Sequence, residues 1–455
     1  MQNSRLWTSV WCSLIIGFVA AFIMHSPAHA LPSFARQTGA PCSQCHVGAF
    51  GPQLTDFGRQ FKLNGYVWGD VENKVPPLSV MLLSSFTNTS KAQVPPPDRF
   101  NSNNNFALDQ ASIFYGGRIT DKVGAMVQGT YDGIADALAL DNTDIRFADQ
   151  GTLFDKDIVY GLTVNNNPTV QDLWNTTPAW GYPFVGSGLA PTPVAAPLID
   201  GGVAGQVVGA SAYTMWNNLL YLEFGGYFEQ PYNMQQSLGE APAGEQEING
   251  FAPYWRATLQ KQFGYNYLSL GTYGLVADVY PGRVDTNGTD RYTDLGFDAS
   301  YQYIATDDNI FTADVNYIHE NQDLSASLPL GNSSNGSDTL NEFRINGSYT
   351  YAETVTARVA YFNIWGSSDF NLYNPSGTGC ACSANDSPNS DGFVLELDFT
   401  PFGKDDSWLQ PWINARFGIQ YTAYLKFDGG TQNFDGAGTN ASDNNTLYLF
   451  TWLAF

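Results

Sequence analysis

From about Leu78 onward, apolar and polar residues alternate along the chain. Residues 393–399 (FVLELDF) place a phenylalanine or leucine at every second position, and residues 295–303 and 343–349 repeat this period of two. A period of two with one apolar side is typical of a β-strand. The pattern predicts sixteen strands between Leu78 and the end of the chain.

The connections between these strands alternate along the chain between tight turns and long loops. An even number of strands, with tight turns on one side and long loops on the other, is the pattern of outer-membrane barrels. We therefore predict an all-β fold, a 16-stranded antiparallel transmembrane β-barrel, with long loops extracellular and with the tight turns and both chain ends periplasmic. Tight connections are predicted at 121–122, 152–156, 217–218, 263–264, 306–308, 353–354 and 404–407. Long ones are predicted near 88–105, 133–143, 166–205, 230–250, 281–291, 321–339, 367–391 and 428–444.

Aromatic residues near the strand ends suit the aromatic girdles of a membrane barrel. Trp216, Tyr317, Trp365 and Trp452 are the candidates. The chain closes on Phe455, and a C-terminal aromatic residue resembles the signal that outer-membrane assembly machinery reads. A soluble β-sandwich would also alternate in polarity, but it does not require the regular exchange of tight and long connections.

The first thirty residues have the pattern of an export signal. Arg5 precedes a short apolar run at 12–24, and the Ala-His-Ala sequence at 28–30 fits a signal-peptidase site. The run falls short of the roughly 20 residues that span a bilayer as a helix, and we expect no transmembrane helix elsewhere. The predicted organisation is a signal peptide at 1–30, a monohaem cytochrome c-like segment at 31–75 and a porin-like barrel at 76–455.

Charge narrows the class of partner. The 455 residues include 43 acidic and 20 basic side chains, for a formal net charge of −23. Nucleic acid binding needs a basic surface, so we expect no nucleic acid partner. An acidic surface attracts cations or basic proteins. Acidic charge that simply keeps an exported protein soluble is the alternative interpretation.

The sequence PCSQCHVGAFGP contains the spacing of a c-type haem attachment site. Two thiols, Cys42 and Cys45, would add across the vinyl groups of one haem, and the adjacent His46 would ligate the iron. A thioredoxin-like dithiol is disfavoured because no βαβ pattern surrounds it. A zinc site is disfavoured because a second pair of ligands is missing nearby. We predict one covalently bound haem c, with His46 as its metal ligand.

The segment around this motif is too short to enclose a haem alone. Its sequence PQLTDFGRQFKLNGY predicts a helix that starts near Pro52 and stops at Gly65. Leu54, Phe57 and Phe61 would share the face that packs on the porphyrin. Arg59 or Lys62 would meet the propionates. Since a sixteen-stranded barrel has a lumen wide enough for water or a plug, we expect the haem segment to fold into it.

These motifs resemble a known family. LPSFARQTGAPCSQCH, followed by FGRQFKLNGY and an acidic, aromatic-rich barrel, resembles the fused outer-membrane cytochrome–porins of iron-oxidising bacteria, and so does NNNPTVQDLWNTTPAWGYPF in the loop after Asn165. The resemblance implies one c-type haem on Cys42, Cys45 and His46, oxidation of extracellular Fe(II), and electron delivery to a periplasmic cytochrome or copper protein. Related proteins also occur in bacteria not known to oxidise iron, so the electron donor stays open.

The sixth haem ligand stays open as well. A methionine ligand raises the potential of a haem, which suits accepting electrons from iron. Strand parity turns Met81 and Met126 towards the lumen and His319 towards lipid. No side chain is expected to perform acid–base catalysis, so the protein, if an enzyme, is an oxidoreductase without catalytic residues of its own. The candidates are Met81, Met126, Met215, Met234, His319 or a water.

Two further groups of residues carry hypotheses. Cys380 and Cys382 lie in a predicted extracellular loop and form either a strained disulfide or a metal-capturing pair. Carboxylates on lumen parity could guide a cation, or they could be the ordinary polar lining of a barrel. They are Glu223, Asp294, Asp298, Asp314, Glu396 and Asp398.

Two other functions compete with iron oxidation. One is a diffusion porin whose haem segment is a redox-sensitive plug. The other keeps the electron transfer but takes electrons from an electrode, a mineral or another extracellular donor. An open conductance would favour the porin, and a sealed pore would favour electron transfer.

Overall fold

The computed structural model describes residues 31–69, 76–240, 245–306, 308–374 and 383–455. The proposed signal peptide at 1–30 and the pair Cys380 and Cys382 lie outside the described residues. Within those ranges the chain forms one closed antiparallel sheet, because the first strand pairs with both the second and the last. The N-terminal helices lie against this sheet.

Sixteen strands of nine residues or more make up the barrel in the described residues, and a two-residue strand, β8, pairs with the end of β10. This confirms the predicted sixteen-stranded antiparallel barrel. The strands are β1 (Leu78–Thr89), β2 (Asn105–Arg118), β3 (Val123–Asp132), β4 (Ala137–Leu153), β5 (Lys156–Asn165), β6 (Val207–Trp216), β7 (Leu220–Glu229), β8 (Glu247–Ile248), β9 (Ala252–Phe263), β10 (Asn266–Tyr280), β11 (Asp290–Thr306), β12 (Asn309–Asp323), β13 (Ser337–Tyr351), β14 (Val355–Gly366), β15 (Ser390–Phe399), β16 (Asn414–Lys426) and β17 (Thr446–Ala454).

The helices are short. No helix in the described ranges is both long and apolar enough to cross a bilayer. The α-helices are α1 (Pro32–Thr38), α2 (Cys42–Cys45), α3 (Asp56–Leu63), α4 (Tyr232–Ser237), α5 (Ser327–Leu330) and α6 (Phe370–Tyr373). Turns of 3₁₀ helix lie at Val47–Ala49, Pro178–Trp180, Pro281–Arg283 and Ala441–Asn444.

The barrel is apolar outside and polar inside. On β15, Leu395 and Leu397 each keep 50% of their surface exposed, whereas Glu396 keeps 5% and Asp398 keeps 1%. A water-soluble sheet buries its leucines and exposes its carboxylates, so this arrangement is inverted. An outer band of apolar side chains around a polar interior is the arrangement of a barrel whose outside faces lipid.

Two connections differ from the predicted lengths. The link between β3 and β4 has only four residues, 133–136, because β4 starts earlier than the predicted loop at 133–143 allows. The link between β15 and β16 spans 400–413 instead of the predicted tight turn at 404–407. Its flanking apolar residues resemble strand ends in the sequence, but they leave the sheet to pack near the N-terminal helices. The other tight and long connections alternate as predicted.

Trp452 also differs from its prediction. Its ring does not join an outer aromatic girdle but lies 5.0 Å from the ring of Phe50, centroid to centroid. Phe50 belongs to the N-terminal segment, so Trp452 faces the interior of the barrel. On β17, the side chains that point outward are instead those of Leu447, Leu449 and Leu453.

Candidate functional site

The N-terminal segment contacts inward-facing side chains from strands around the barrel. Gln53 donates to the hydroxyl of Thr312 on β12 at 2.9 Å. Tyr66 donates to Asp144 on β4 at 2.6 Å. Arg416 on β16 donates to the carbonyl of Phe50. Because β4, β12 and β16 are spread around the sheet, residues 31–69 lie among the inner walls of the barrel.

Backbone hydrogen bonds fix the conformation of the Cys-x-x-Cys-His motif and join it to the start of α3. Cys42 to Cys45 form helix α2, and the N–H of His46 donates to the carbonyl of Cys42 at 2.8 Å. The N–H of Thr55 donates to the carbonyl of Cys45 at 2.9 Å, and the hydroxyl of Thr55 caps α3. The helix therefore starts at Asp56, later than the predicted start near Pro52, because the threonine supplies its N-cap.

Helix α3 crosses α2 at a glycine. A Cβ atom on Gly58 would lie 2.3 Å from the carbonyl oxygen of Cys45 and 3.1 Å from the side chain of Leu54. No carbon approaches an oxygen that closely without displacement of one chain. Gly58 is therefore the position that lets α3 rest directly on the Cys-x-x-Cys-His motif.

Replacing Gly58 with alanine should separate α3 from α2. We expect a loss of about 1–3 kcal/mol in the free energy of unfolding of the N-terminal segment, as for overpacked cores. Limited proteolysis of the purified protein, followed at the N-terminal segment, measures it. The matched control is Gly186→Ala, because a Cβ there meets nothing within 4 Å. Equal protease resistance of both variants would show that the α2–α3 crossing is not tight.

Burial sets the chemistry of the motif. Cys42 and Cys45 are 4% and 6% exposed. Burial, and then the neighbouring Cys42, raises the pKa of the Cys45 thiol to about 12. A redox-active dithiol needs an accessible thiolate, so this environment disfavours that alternative. Burial and the charge of Arg416 lower the pKa of His46 to about 4, which keeps the imidazole neutral, the form that ligates metals.

A cavity of about 700 Å³ adjoins the motif. It extends from the N-terminal segment to the inner wall formed by β1, β2 and β3. Among the residues that line it are Cys45, His46, Leu54, Phe61, Lys62, Met81, Leu83, Phe114, Met126 and Trp452. One thiol of the motif, the histidine, two thioethers and several apolar side chains thus surround one space.

The donor set of this cavity fits a c-type haem. The thiol would attach the haem, the neighbouring imidazole would ligate its iron, and a methionine could serve as a second ligand. The indole N–H of Trp452 is buried and has no hydrogen-bond partner within the described ranges. Lys62 also lines the cavity, and burial, followed by the nearby Arg146, lowers its pKa to about 7. An anionic group such as a propionate would satisfy the indole and favour the charged lysine.

The structure separates the candidate sixth ligands. Met81 and Met126 line the cavity together with His46. Met215 is buried in a different cluster, with Leu63, Leu173, Trp174, Tyr213, Tyr221 and Tyr267. Met234 is 48% exposed on α4, in an outer connection. His319 points to the outer side of β12, where its ring is 2.7 Å from the amide oxygen of Asn341.

Two residues of the predicted porphyrin contact lie elsewhere. The guanidinium of Arg59 stands 3.7 Å from the ring centroid of Tyr267 and donates to Gln302 at 3.0 Å. Phe57 packs edge-on against Trp68 at 5.6 Å. Neither lines the cavity, whereas Lys62 does, so of the two cations predicted to meet the propionates only Lys62 faces this space. Both side chains lie on a part of α3 that does not face the cavity.

The long connection 166–206 folds into the barrel, which the sequence did not reveal. Its Asp172 is fully buried and accepts from the N–H groups of Trp174 and Thr176, both at 3.0 Å. Arg256 on β9 reaches Asp172 at 3.1 Å. The sequence offered one signal for this inward course: the connection is unusually long, rich in tryptophan and proline, and poor in charged residues.

The predicted lumen carboxylates face inward but are enclosed. Arg256 forms two hydrogen bonds with Asp298, at 3.0 and 2.8 Å, and Glu223 accepts from Tyr221 at 2.8 Å. The N-terminal segment and the 166–206 connection cover the lumen side chains. Within the described ranges, no group of three histidine, cysteine, aspartate or glutamate side chains is placed to hold a metal ion. Asp298 and Glu223 are thus held by neighbouring side chains of the barrel wall.

Comparison with known proteins concerns the fold. No protein-family model and no curated protein matches the chain. Among solved structures, it is similar to an anion-selective porin from Comamonas acidovorans at 11% identity, covering 83% of this chain and 98% of that one, with a TM-score of 0.45. It is also similar to the outer membrane channel DcaP of Acinetobacter baumannii (12% identity, coverage 83% and 96%, TM-score 0.43) and to the outer membrane protein OmpT of Vibrio cholerae (13%, 83% and 96%, 0.39). The structural neighbours are outer-membrane barrels, and at this identity the likeness concerns architecture.

Proposed function

We propose that the protein is an outer-membrane barrel that carries one covalently attached c-type haem inside its wall and transfers single electrons across the membrane. The observation that carries this proposal is the cavity where Cys45 and His46 share one space with Met81 and Met126. When bound, the haem would supply one-electron redox chemistry. The barrel would supply a dry housing that no 45-residue segment could build alone.

The residues of the chain divide the work of holding the haem. Cys42 and Cys45 would attach it, and His46 would hold the iron from one side. Leu54 and Phe61 would exclude water from the porphyrin face. A neutral His46, kept so by its burial, would be ready to bind without first losing a proton.

For the physiological reaction, we propose oxidation of Fe(II) outside the cell and delivery of the electron to a periplasmic cytochrome or copper protein. The formal charge of −23 favours the approach of a cation to the barrel. The motif resemblance described above supports the same donor. Another extracellular donor is compatible with the same site, since the haem pocket does not itself select iron.

A membrane location follows from the outside of the barrel. Half-exposed leucines and phenylalanines on β15 alternate with buried carboxylates, and β16 repeats the pattern with Phe417 and Ile419 at 41% and 54% exposure. Such a surface in water would aggregate. We propose that it faces the lipid of a bacterial outer membrane.

Arginine at Leu395 should destabilise the folded barrel in a bilayer by about 2–4 kcal/mol, because a charge near the membrane midplane costs that much on a lipid-facing strand. Reversible unfolding in lipid vesicles with guanidinium measures the change. The matched control is Leu78→Arg, at an equally exposed position (45%) that begins β1 near the membrane edge. Equal destabilisation by both substitutions would contradict a lipid-facing band centred on Leu395.

A diffusion porin is the second candidate. Sixteen strands enclose a lumen wide enough for an aqueous channel, and the architecture is that of porins. The inner surface is instead occupied by residues 31–69 and by the 166–206 connection. Conductance in planar bilayers separates the two functions. The electron-transfer proposal expects a sealed barrel, and a large, steady open current from the complete protein would favour the porin.

The direct test of the proposed function uses the purified, complete protein from outer-membrane fractions. The pyridine haemochrome assay should show one thioether-linked haem per chain, and Cys42→Ala with Cys45→Ala should show none. Anaerobic stopped-flow absorption should then show reduction of the wild-type haem by excess Fe(II). A wild-type protein without covalent haem would overturn the proposal. A haem that stays oxidised with Fe(II) but is reduced by another donor would overturn only the choice of iron.

A further inference from the structure

The connection 400–413 between β15 and β16 is the long link on the side of the barrel that otherwise has short turns. It contacts the haem-attachment motif directly, since the carbonyl of Gly403 accepts from the N–H of Ser43 at 3.1 Å. Ser43 lies between Cys42 and Cys45 in the chain. One hydrogen bond thus joins this connection to the backbone that carries both thiols.

A second contact holds the same connection against α1. The guanidinium of Arg36 lies 5.0 Å from the ring centroid of Trp412. The amide of Asn414, where β16 begins, donates to the carbonyl of Ala49 at 2.7 Å. The connection and the first residue of β16 therefore contact the N-terminal segment before, within and after the motif.

The exposed part of this connection is aromatic and acidic. Trp408 is 82% exposed, and Asp405 and Asp406 beside it are exposed as well. Lys404 is only half-buried and precedes them, and Asp56 on α3 keeps 52% of its side chain exposed. Two carboxylates within three residues disfavour insertion of Trp408 into lipid, where charge is costly. An exposed tryptophan that follows two exposed carboxylates in the chain suits a protein-binding hot spot with a charged rim.

We propose that the 400–413 connection, centred on Trp408, is the docking surface for a soluble electron carrier with an apolar patch ringed by basic residues. This inference rests on the proposed function. The charge of Asp405 and Asp406 would orient the carrier, and Trp408 would fill its apolar patch. One electron would leave the haem for the oxidised carrier, and no bond forms or breaks in that step. The hydrogen bond from Ser43 to Gly403 would shorten the path of the electron from the Cys-x-x-Cys-His motif to the protein surface.

The test uses the complete haem-loaded protein, reduced and freed of reductant, mixed with an oxidised plastocyanin of basic isoelectric point. The blue absorption of the probe bleaches as it accepts the electron, and stopped-flow absorption follows it. We expect Trp408→Ala to lower the second-order rate constant by about tenfold, the effect of losing one hot-spot side chain. We expect the pair Asp405→Asn and Asp406→Asn to weaken the ionic-strength dependence, as neutralised rim charges do.

The matched control is Phe154→Ala. Phe154 is also 82% exposed, in the link between β4 and β5 on the same side of the barrel. It should leave the rate unchanged, and an acidic plastocyanin should react slowly with every variant. Haem content and reduction by Fe(II) are measured in each variant, so a failure of the proposed function is visible separately. Normal haem reduction with equal transfer rates for Trp408→Ala and wild type would overturn the docking surface.

Discussion

If the cavity holds the proposed haem, replacing Met81 with alanine should remove a candidate ligand of the iron and lower the reduction potential of that haem. Met81 lines the cavity with His46, and it is 8% exposed. Phe50, four residues after His46, packs on Trp452. Trp452 pairs with Leu83 on β1, two residues from Met81, so the motif and Met81 are linked through this part of the barrel wall. A thioether ligand raises the potential of a haem, so its loss lowers it.

Near-infrared magnetic circular dichroism of the oxidised protein detects a methionine ligand by its charge-transfer band. A redox titration gives the potential on the same samples. Met215→Ala is the matched control, because Met215 is buried in a cluster away from the cavity. Met126→Ala is the informative comparison, since Met126 shares the cavity. An unchanged band in Met81→Ala together with its loss in Met126→Ala would transfer the role to Met126.

The barrel could be predicted because each strand residue faces one of two environments. At residues 393–399 the alternation of leucine and phenylalanine with carboxylates already indicates the two sides of β15. Strand number followed from the same local signal and from connection lengths. The 400–413 connection could not be predicted, because its apolar ends resemble strand residues and its polar centre resembles a turn. In the structure this connection lies outside the sheet and contacts Ser43 and Arg36 of the N-terminal segment.

The candidate site was predictable in its motif and not in its surroundings. The spacing of Cys42, Cys45 and His46 can be recognised in the sequence without knowing the fold. Lumen parity turned Met81 and Met126 inward and His319 outward, and the structure agrees, but the sequence could not place Met215 or show that Met81 and Met126 share one cavity with His46. The inward course of the 166–206 connection depends on contacts between residues far apart in sequence, which no local pattern carries. The closed sixteen-stranded antiparallel barrel is established by the structure, whereas the haem and the electron donor are proposals.

Replacing Arg256 with leucine should have the largest effect on stability. The guanidinium is fully buried, bonded to both oxygens of Asp298 and to Asp172, and its centre lies 5.0 Å from the ring of Trp174. Removing this guanidinium takes away the cation that contacts both Asp172 and Asp298, and it leaves these two carboxylates buried without that partner. Breaking one side of a buried pair costs about 3–5 kcal/mol.

Arg291→Leu is the matched control. Arg291 also holds a carboxylate with two hydrogen bonds, to Asp278 at 2.7 and 2.8 Å, but its side chain is 60% exposed. Exposed pairs contribute little, so the guanidinium midpoint in lipid vesicles should move for Arg256→Leu and stay in place for Arg291→Leu. Because Asp172 belongs to the 166–206 connection, Arg256→Leu should also release that connection from the wall. Planar-bilayer recordings should then show a current that the wild type lacks, and a barrel that stays sealed would mean that the N-terminal segment alone closes the lumen.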